Sequence, residues 1–203
     1  MADFKKQKVG LIYKVAAFVA FLFLGYLGIR SYKESVEKLK INGCIDELGE
    51  IVRNVQDMMG RNASGYKGLD YNLAVSLQFF PKQMFREGFN EAVNTYLGGV
   101  DLFYSSLGEG NVDGAYEISF QGLSSMACKA LIKLKFDTLI AVGAYPSATP
   151  SGVLDEIYLS TDPKDIKSRY IFKSEQTGFI SENVLDDVCG CSDDTCTVVW
   201  KFR

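Results

Sequence analysis

The chain has 203 residues and a formal net charge of −3, so its length allows one domain of ordinary size besides a terminal helix. A mildly acidic chain lacks the basic footprint of a nucleic-acid binder, and we expect no direct nucleic-acid partner. Histidine is absent, which excludes Ser-His-Asp and Cys-His catalysis, the common histidine zinc sites and haem ligation by histidine. Carboxylate and lysine chemistry remains open, but no nucleophile elbow, phosphate loop or metal motif is present in the sequence. We therefore expect no enzyme, no catalytic residues, no cofactor and no bound metal.

The N-terminal part of the chain combines a basic tip with an apolar run. The tip contains Lys5, Lys6 and Lys8, and the run extends over Val9–Ile29 with Lys14 as its one charged residue. A bilayer-spanning helix needs about 20 mostly apolar residues, and a lysine one turn inside the end can extend its amine to the headgroups. Basic residues before the run favour a cytoplasmic N-terminus. The sequence therefore predicts a membrane-spanning helix followed by a domain outside the cytoplasm.

After the apolar run, the helical pattern continues to about Gly60, with apolar residues three or four positions apart. These residues are Val36, Leu39, Ile41, Cys44, Ile45, Leu48, Ile51, Val52, Val55, Met58 and Met59. The charged residues Glu47, Glu50, Arg53 and Asp57 lie mainly on other faces. We therefore predict an amphipathic helix whose apolar face packs on the domain that follows.

The rest of the chain predicts short helices and strands. Loop composition marks residues 60–68, 82–99 and 143–152. Helices are predicted at residues 69–78, 124–136 and 181–190, the second opened by a Ser N-cap signal. Strands are predicted at residues 100–106, 115–122, 156–160, 169–174 and 196–203. The fold class is therefore α+β, with a long N-terminal helix, membrane-spanning in its first half, packed on an antiparallel β-sheet.

Aromatic residues on the later strands are expected to pack in the core or on a sheet face. They are Tyr170, Trp200 and Phe202. Packing is the usual role of such side chains on strands, because each buries a large apolar area. An adhesive role for them has no support in the sequence.

The five cysteines are Cys44, Cys128, Cys189, Cys191 and Cys196. Cys44 lies on the long helix and is the expected unpaired one, whereas the other four can form disulfides in an exported domain. Four cysteines allow three connectivities, and the sequence does not choose among them.

Two metal sites are weaker alternatives. Three thiolates in a C-x-C-x4-C pattern, with Asp193 as a fourth ligand, match a zinc site, but an exported domain favours disulfides. The acidic residues Asp186, Asp187, Asp193 and Asp194 match a calcium site in type but not in spacing, so a solvated acidic loop is the preferred interpretation.

Four segments resemble the type IV pilins, most closely the type IVb pilins of thin conjugative and enteric pili. The segments are "KKQKVG" before the apolar helix, "YKGLDYNLAVSLQFFPKQMF" after it, "YEISFQGLSSMACKALIKL" in the middle, and "CSDDTCTVVWKF" at the end. Each segment alone is a weak signal, and their common order covers most of the chain. The chain departs from the family at two positions: Val15 stands where the family usually has Glu, and Lys14 stands where an apolar residue is expected.

The resemblance implies a division into a basic leader (1–10), a transmembrane and amphipathic helix (11–60) and a globular pilin head (61–203). A prepilin peptidase would cut between Gly10 and Leu11. The helix residues implied to pack in a filament are Leu11, Val15, Phe18, Phe21, Leu22 and Leu24. By the pilin pattern, Cys128 pairs with Cys191, with Cys189 as the substitute for Cys191, and Cys196 takes the remaining partner.

The resemblance also implies a function and a set of partners. The chain would be a major or minor pilin that waits in the inner membrane and then joins other subunits in a surface filament. Its partners would be other pilin subunits, the prepilin peptidase, an inner-membrane platform, an assembly ATPase and a secretin. The task of the pilus, whether adhesion, conjugation, motility or secretion, is not indicated.

Two other classes of function remain as alternatives. The chain would be an uncleaved, single-pass membrane-anchored periplasmic binding or sensor domain if Met1–Gly10 were retained. Lys14 and Val15 favour this alternative, whereas the pilin-like order of cysteines and strands argues against it. An anchored enzyme is the least supported class, because no catalytic motif is present.

Overall fold

The computed structural model describes residues 2–60, 65–107, 114–146, 171–173, 185–186, 189–191 and 195–203. In the N-terminal helix it describes side chains from Phe18 onward. The chain divides into two compact units, Met1–Leu39 and Lys40–Arg203.

Three α-helices and a short 3-10 helix are present in the described part of the chain. They are α1 (Ala2–Met59), α2 (Tyr71–Ser76), the 3-10 helix (Lys82–Met84) and α3 (Ser125–Ile132). The two short α-helices begin at side-chain caps. Asp70 Oδ1 accepts a hydrogen bond from Leu73 N at 2.7 Å, and Ser124 Oγ accepts one from Ala127 N at 3.1 Å. The Ser cap predicted for the second helix is therefore confirmed.

The described strands form one antiparallel sheet in the order β1-β2-β5-β3-β4. They are β1 (Val100–Ser105), β2 (Ala115–Leu123), β3 (Leu139–Pro146), β4 (Ile171–Lys173) and β5 (Cys196–Phe202). The last strand of the chain is central, because Trp200 lies opposite Ile118 of β2 on one side and Val142 of β3 on the other. The predicted α+β architecture, a long helix packed on an antiparallel sheet, is confirmed.

One face of the sheet carries the core of the second unit. Alternate residues of β2 and β5 point into it, as a period of two requires. The rings of Tyr116 and Phe202 stack at a centroid distance of 5.2 Å, and those of Phe120 and Trp200 meet edge to face at 5.3 Å. Buried apolar residues of α1 join the same cluster. The packing role predicted for Trp200 and Phe202 is confirmed.

The other face of the sheet buries a charged pair. Glu117 of β2 and Lys201 of β5 are cross-strand neighbours and fully buried, with Lys201 Nζ 3.8 Å from Glu117 Oε1. Ser105 of β1 donates a hydrogen bond to the same oxygen at 2.7 Å. A buried charge is tolerated when it is paired and hydrogen-bonded, so this contact ties three adjacent strands in one register.

One strand was missed by the sequence analysis. Residues 143–152 were expected to form a loop, but β3 extends from Leu139 to Pro146. Residues 139–144 are all buried, so both faces of the strand are covered, and its small and apolar residues show no alternation that would indicate a strand. The predicted strand at 156–160, Tyr170 and six of the ten residues of the predicted helix at 181–190 lie outside the described residues.

We expect Lys201→Met to lower the free energy of unfolding by about 3–5 kcal/mol, because it removes the buried ammonium 3.8 Å from the Glu117 carboxylate. The double variant Glu117→Leu, Lys201→Met should recover most of that loss, and Lys82→Met, at an exposed position, should have little effect. Denaturant unfolding of the three variants measures these differences. A single variant as stable as the unchanged chain would contradict the pairing.

Candidate functional site

The first unit exposes large apolar side chains along α1. Phe18, Phe21, Leu22 and Leu24 are each more than half exposed, at 54–73%. Seven further large apolar residues described in the same unit are 42–70% exposed: Val19, Phe23, Tyr26, Leu27, Ile29, Tyr32 and Leu39. An apolar surface of this extent is typical of an interaction site rather than of free solvent-facing protein.

The predicted processing and packing residues all lie in α1. Gly10, Leu11 and Val15 belong to its helical backbone, in the part whose side chains are not described, and Phe18 begins the exposed part. Cleavage between Gly10 and Leu11 and packing in a filament therefore stay predictions. Within the described residues, no helix combines the length and apolar character needed to cross a membrane.

In the second unit, α1 buries the apolar face that its sequence predicts. Cys44, Leu48, Ile51 and Val55 are fully buried, at the three- and four-residue spacing of one helix face. Met58, and Leu39 at the end of the first unit, were assigned to the same face but are mainly exposed. The prediction of an amphipathic helix packed on the domain is confirmed.

Glu47 is the charged residue of α1 whose environment differs from the prediction. It was expected away from the apolar face, but it is buried and accepts two hydrogen bonds from Thr95, from the backbone N–H at 3.0 Å and from the hydroxyl at 2.8 Å. Burial raises the pKa of Glu47, while the bonds from Thr95 and the charge of Arg86 act in the opposite direction. A partner 48 positions away leaves no local pattern that would have identified this contact.

Gly43 allows Thr95 to approach α1. A Cβ at position 43 would lie 2.6 Å from Thr95 Oγ1, closer than real side chains permit. By contrast, a Cβ at Gly49 would meet nothing within 4 Å. The contact between Glu47 of α1 and Thr95 is called here the junction. The absence of a side chain at position 43 is a requirement of this junction.

The residues 94–99 form a turn, called here the Asn94 turn, that is held from its other side by β2. Asn94 donates its side-chain N–H to Gln121 O at 2.7 Å, and its Oδ1 accepts the backbone N–H of Tyr96 at 2.8 Å. Leu97 has a left-handed φ of 67° and is half exposed. A bulky residue rarely adopts that conformation, so the turn is fixed by the contacts on both sides.

Cys44 is the free cysteine, as expected, and it is buried beside this junction. Burial, followed by the negative charge of Glu47, raises the pKa of Cys44 to about 12. The thiol is therefore protonated at neutral pH, and a protonated thiol is a poor nucleophile. This environment keeps Cys44 out of disulfide exchange while the junction is closed.

The other four cysteines form two disulfides, Cys128–Cys189 and Cys191–Cys196. The preferred pairing of Cys128 with Cys191 is wrong, and the substitute that involved Cys189 is the one observed. Cys189 is fully buried, as is Cys128 on α3, whereas Cys191 is only half-buried and pairs with the first residue of β5. One glycine separates Cys189 from Cys191, so the sequence held no information on which of them turns inward.

The two disulfides argue against the zinc site considered from the sequence, because they leave no thiolate at Cys189, Cys191 or Cys196 to bind the metal. Within the described part of the chain, no three His, Cys, Asp or Glu side chains form a cluster suited to a metal ion. Asp186 is exposed and pairs with Lys129 at 2.6 Å. Hydrogen bonding to that ammonium lowers the pKa of Asp186. The other acidic residues of the calcium alternative lie outside the described residues.

A long N-terminal helix packed on an antiparallel sheet, with a disulfide-linked C-terminal strand inside the sheet, defines the class of the type IV pilins. The chain belongs to the family described as PilS N terminal, whose model matches residues 39–157, more than half of the chain. The resemblance to a type IVb-like pilin is thereby confirmed. Pilins are structural proteins, in agreement with the expectation of no enzyme.

A solved structure shares the fold: the crystal structure of TcpA, a type IV pilin from Vibrio cholerae El Tor biotype. The two chains are 15% identical with a TM-score of 0.56, and the match covers 81% of this chain and 99% of that chain. At this identity the likeness establishes the fold alone. The comparison with curated proteins finds no match.

We expect Gly43→Ala and Gly49→Ala to change stability in opposite directions. The first displaces Thr95 and with it both hydrogen bonds to Glu47, so we expect a loss of about 1–3 kcal/mol. The second adds only helix propensity and should gain about 1 kcal/mol. Thermal or denaturant unfolding measures both, and equal effects at the two glycines would contradict the close approach at Gly43.

Removing the disulfides one at a time should give unequal losses. Cys128–Cys189 closes a loop of 61 positions and Cys191–Cys196 one of 5. On the chain-entropy model, replacing both members by Ala should cost about 4 kcal/mol in the first case and about 2 kcal/mol in the second. Denaturant unfolding of non-reduced protein measures the losses, and peptide mapping of the same sample checks the pairing.

Proposed function

We propose that the chain is a structural subunit, a major or minor pilin, of a type IV pilus-like surface filament, and that it assembles through the apolar part of α1. The observation that carries this proposal is the exposed apolar surface of the first unit, which includes Phe18, Phe21 and Leu24. Membership of the PilS N-terminal family supports it. Packing against the same helix of other subunits removes this surface from water without altering the second unit.

The same surface suits two surroundings in turn. Before assembly, Leu11–Ile29 lies in the inner membrane with the N-terminus in the cytoplasm, where lipid covers the apolar side chains. After assembly, neighbouring helices replace the lipid, as apolar side chains pack equally well against either. Lys14, near the cytoplasmic end, reaches the headgroups in the membrane stage.

Processing and assembly need partners. A prepilin peptidase removes Met1–Gly10 and leaves Leu11 as the first residue. An inner-membrane platform with its ATPase extracts the subunit and adds it to the filament, which leaves the cell through a secretin. These partners are inferred from the family, and the head domain, residues 61–203, meets the surroundings of the cell.

A second candidate is an anchored periplasmic binding or sensor domain that keeps its first ten residues. Lys14 and Val15 favour it, because a carboxylate that would pair with a neighbouring N-terminal amine is missing at position 15. The two candidates differ in the start of the mature chain and in the cell fraction that contains it.

The deciding measurement is the mass and N-terminal sequence of native, non-reduced protein from a sheared surface fraction. The pilin proposal expects a chain that begins at Leu11, with a mass deficit of four hydrogens for the two disulfides. A chain that still begins at Met1 and occurs only in membranes would overturn it and favour the anchored domain.

A double variant, Phe18→Ala with Phe21→Ala, tests the packing surface in the same assay. It adds no charge to the apolar run, so the protein should still enter the membrane and be cleaved, but the sheared filament fraction should fall at least tenfold. Each packed ring contributes roughly 2 kcal/mol, and the loss of two rings therefore weakens subunit packing by more than a factor of ten. Lys38→Ala, on an exposed part of α1, is the control and should assemble normally.

A further inference from the structure

In the junction, the buried carboxyl group of Glu47 is hydrogen-bonded to Thr95 of the Asn94 turn, a residue that carries no charge. Glu47 is 3% exposed, and it accepts two hydrogen bonds from Thr95 and one from the Cys44 thiol. No described Lys or Arg forms a salt bridge with it. Neutral donors compensate only part of the cost of burying a carboxylate, so the ionised form is held here at a cost in free energy.

We propose that Glu47 and Thr95 form a pH-sensitive latch between α1 and the Asn94 turn, closed most firmly when the Glu47 carboxyl is protonated. The geometry suits both protonation states. An ionised carboxylate accepts both bonds from Thr95, as observed. A protonated one keeps the bond from the backbone N–H and reverses the 2.8 Å bond, its own O–H donating to Thr95 Oγ1.

The groups that face Glu47 come from three elements. Cys44 lies one turn away on α1, and its neutral thiol adds no charge. Arg86 follows the 3-10 helix, and its positive charge lowers the pKa of Glu47 without outweighing burial. In the Asn94 turn, Tyr96 is contacted by Lys40, whose Nζ lies 5.2 Å from the ring centre. Burial therefore sets the direction of the pKa shift.

The direction of the pH dependence follows from this shift. The pKa of Glu47 is higher in the closed junction than in water, so the closed junction binds the proton more tightly than the open one. The stabilisation is therefore complete at pH values below the ordinary carboxyl pKa and is lost as the pH rises through the raised pKa. The latch is at its weakest at pH values above the raised pKa.

Opening of the latch would free only one side of the Asn94 turn. Asn94 remains bound to Gln121 of β2 by a contact that contains no titrating group. The exposed Leu97 of this turn would then no longer be held in one position. The buried thiol of Cys44 would become accessible to solvent. Because the other four cysteines are in disulfides, Cys44 is a built-in reporter of the junction.

The test is the rate at which a dipyridyl disulfide reagent labels Cys44 in the non-reduced full chain in detergent, over a pH series. Three proteins are compared: the unchanged chain, Glu47→Gln, and the matched control Glu50→Gln, which removes an exposed carboxylate from the same helix. The quantity compared is the labelling rate of the unchanged chain divided by that of Glu47→Gln. Protonation of Glu47 removes a charge that raises the pKa of Cys44, which by itself would speed labelling at low pH and so acts against the slowing that the latch predicts.

We expect this ratio of labelling rates to fall as the pH is lowered through the raised pKa of Glu47. The fall should be about tenfold for each pH unit by which the pKa of Glu47 in the closed junction exceeds its pKa in the open one. Glu50→Gln should follow the unchanged chain. A ratio that does not vary with pH, or a Glu50→Gln variant that behaves as Glu47→Gln does, would overturn the proposal.

A second measurement needs no variant and decides the question if Glu47→Gln fails to fold. It is the hydrogen-exchange protection of the Thr95 amide in the unchanged chain, compared with that of Asn94, whose N–H bonds to Gly98 O. The latch predicts that protection of Thr95 rises relative to Asn94 as the pH falls. Constant relative protection overturns it. Neither result depends on filament assembly.

Discussion

The burial of one face of α1 is the constraint on which the second unit depends. A five-stranded antiparallel sheet needs a cover for its apolar face, and Leu48, Ile51 and Val55 supply part of it without any exposure. They join the cluster that contains Trp200 and Phe202 of β5, the last strand of the chain. The core is therefore complete only when residues from near both ends of this unit have come together.

The central place of β5 explains where the covalent and ionic contacts lie. Cys191–Cys196 fixes the start of β5, Cys128–Cys189 fastens the preceding segment to α3, and Lys201 pairs across the sheet with Glu117. A strand that closes a sheet late in the chain must find one register among several. A buried ion pair disfavours a slipped register, because a slip of β5 by one residue would move Lys201 to the opposite face and leave Glu117 buried without it.

Polar contacts of α1 complement this packing. Glu47 and Thr95 fix the Asn94 turn against α1, and Gly43 provides the clearance that the contact needs. In the first unit, the described side chains of the same helix expose a large apolar surface. One helix thus combines an exposed apolar surface with a face that packs into the core of its own domain.

The sequence by itself determined the features that follow from local periodicity and composition. These include the apolar run, the amphipathic face around Leu48, the Ser124 cap, the hairpin of β1 and β2, β5, and Cys44 as the unpaired cysteine. Only the tertiary structure decided the place of β3, the inward turn of Cys189 rather than Cys191, and the burial of Glu47. Each of these depends on a partner far away in the chain. A helix or strand pattern records which face is apolar, but it does not record which distant backbone will supply the hydrogen bonds that make a buried polar residue stable.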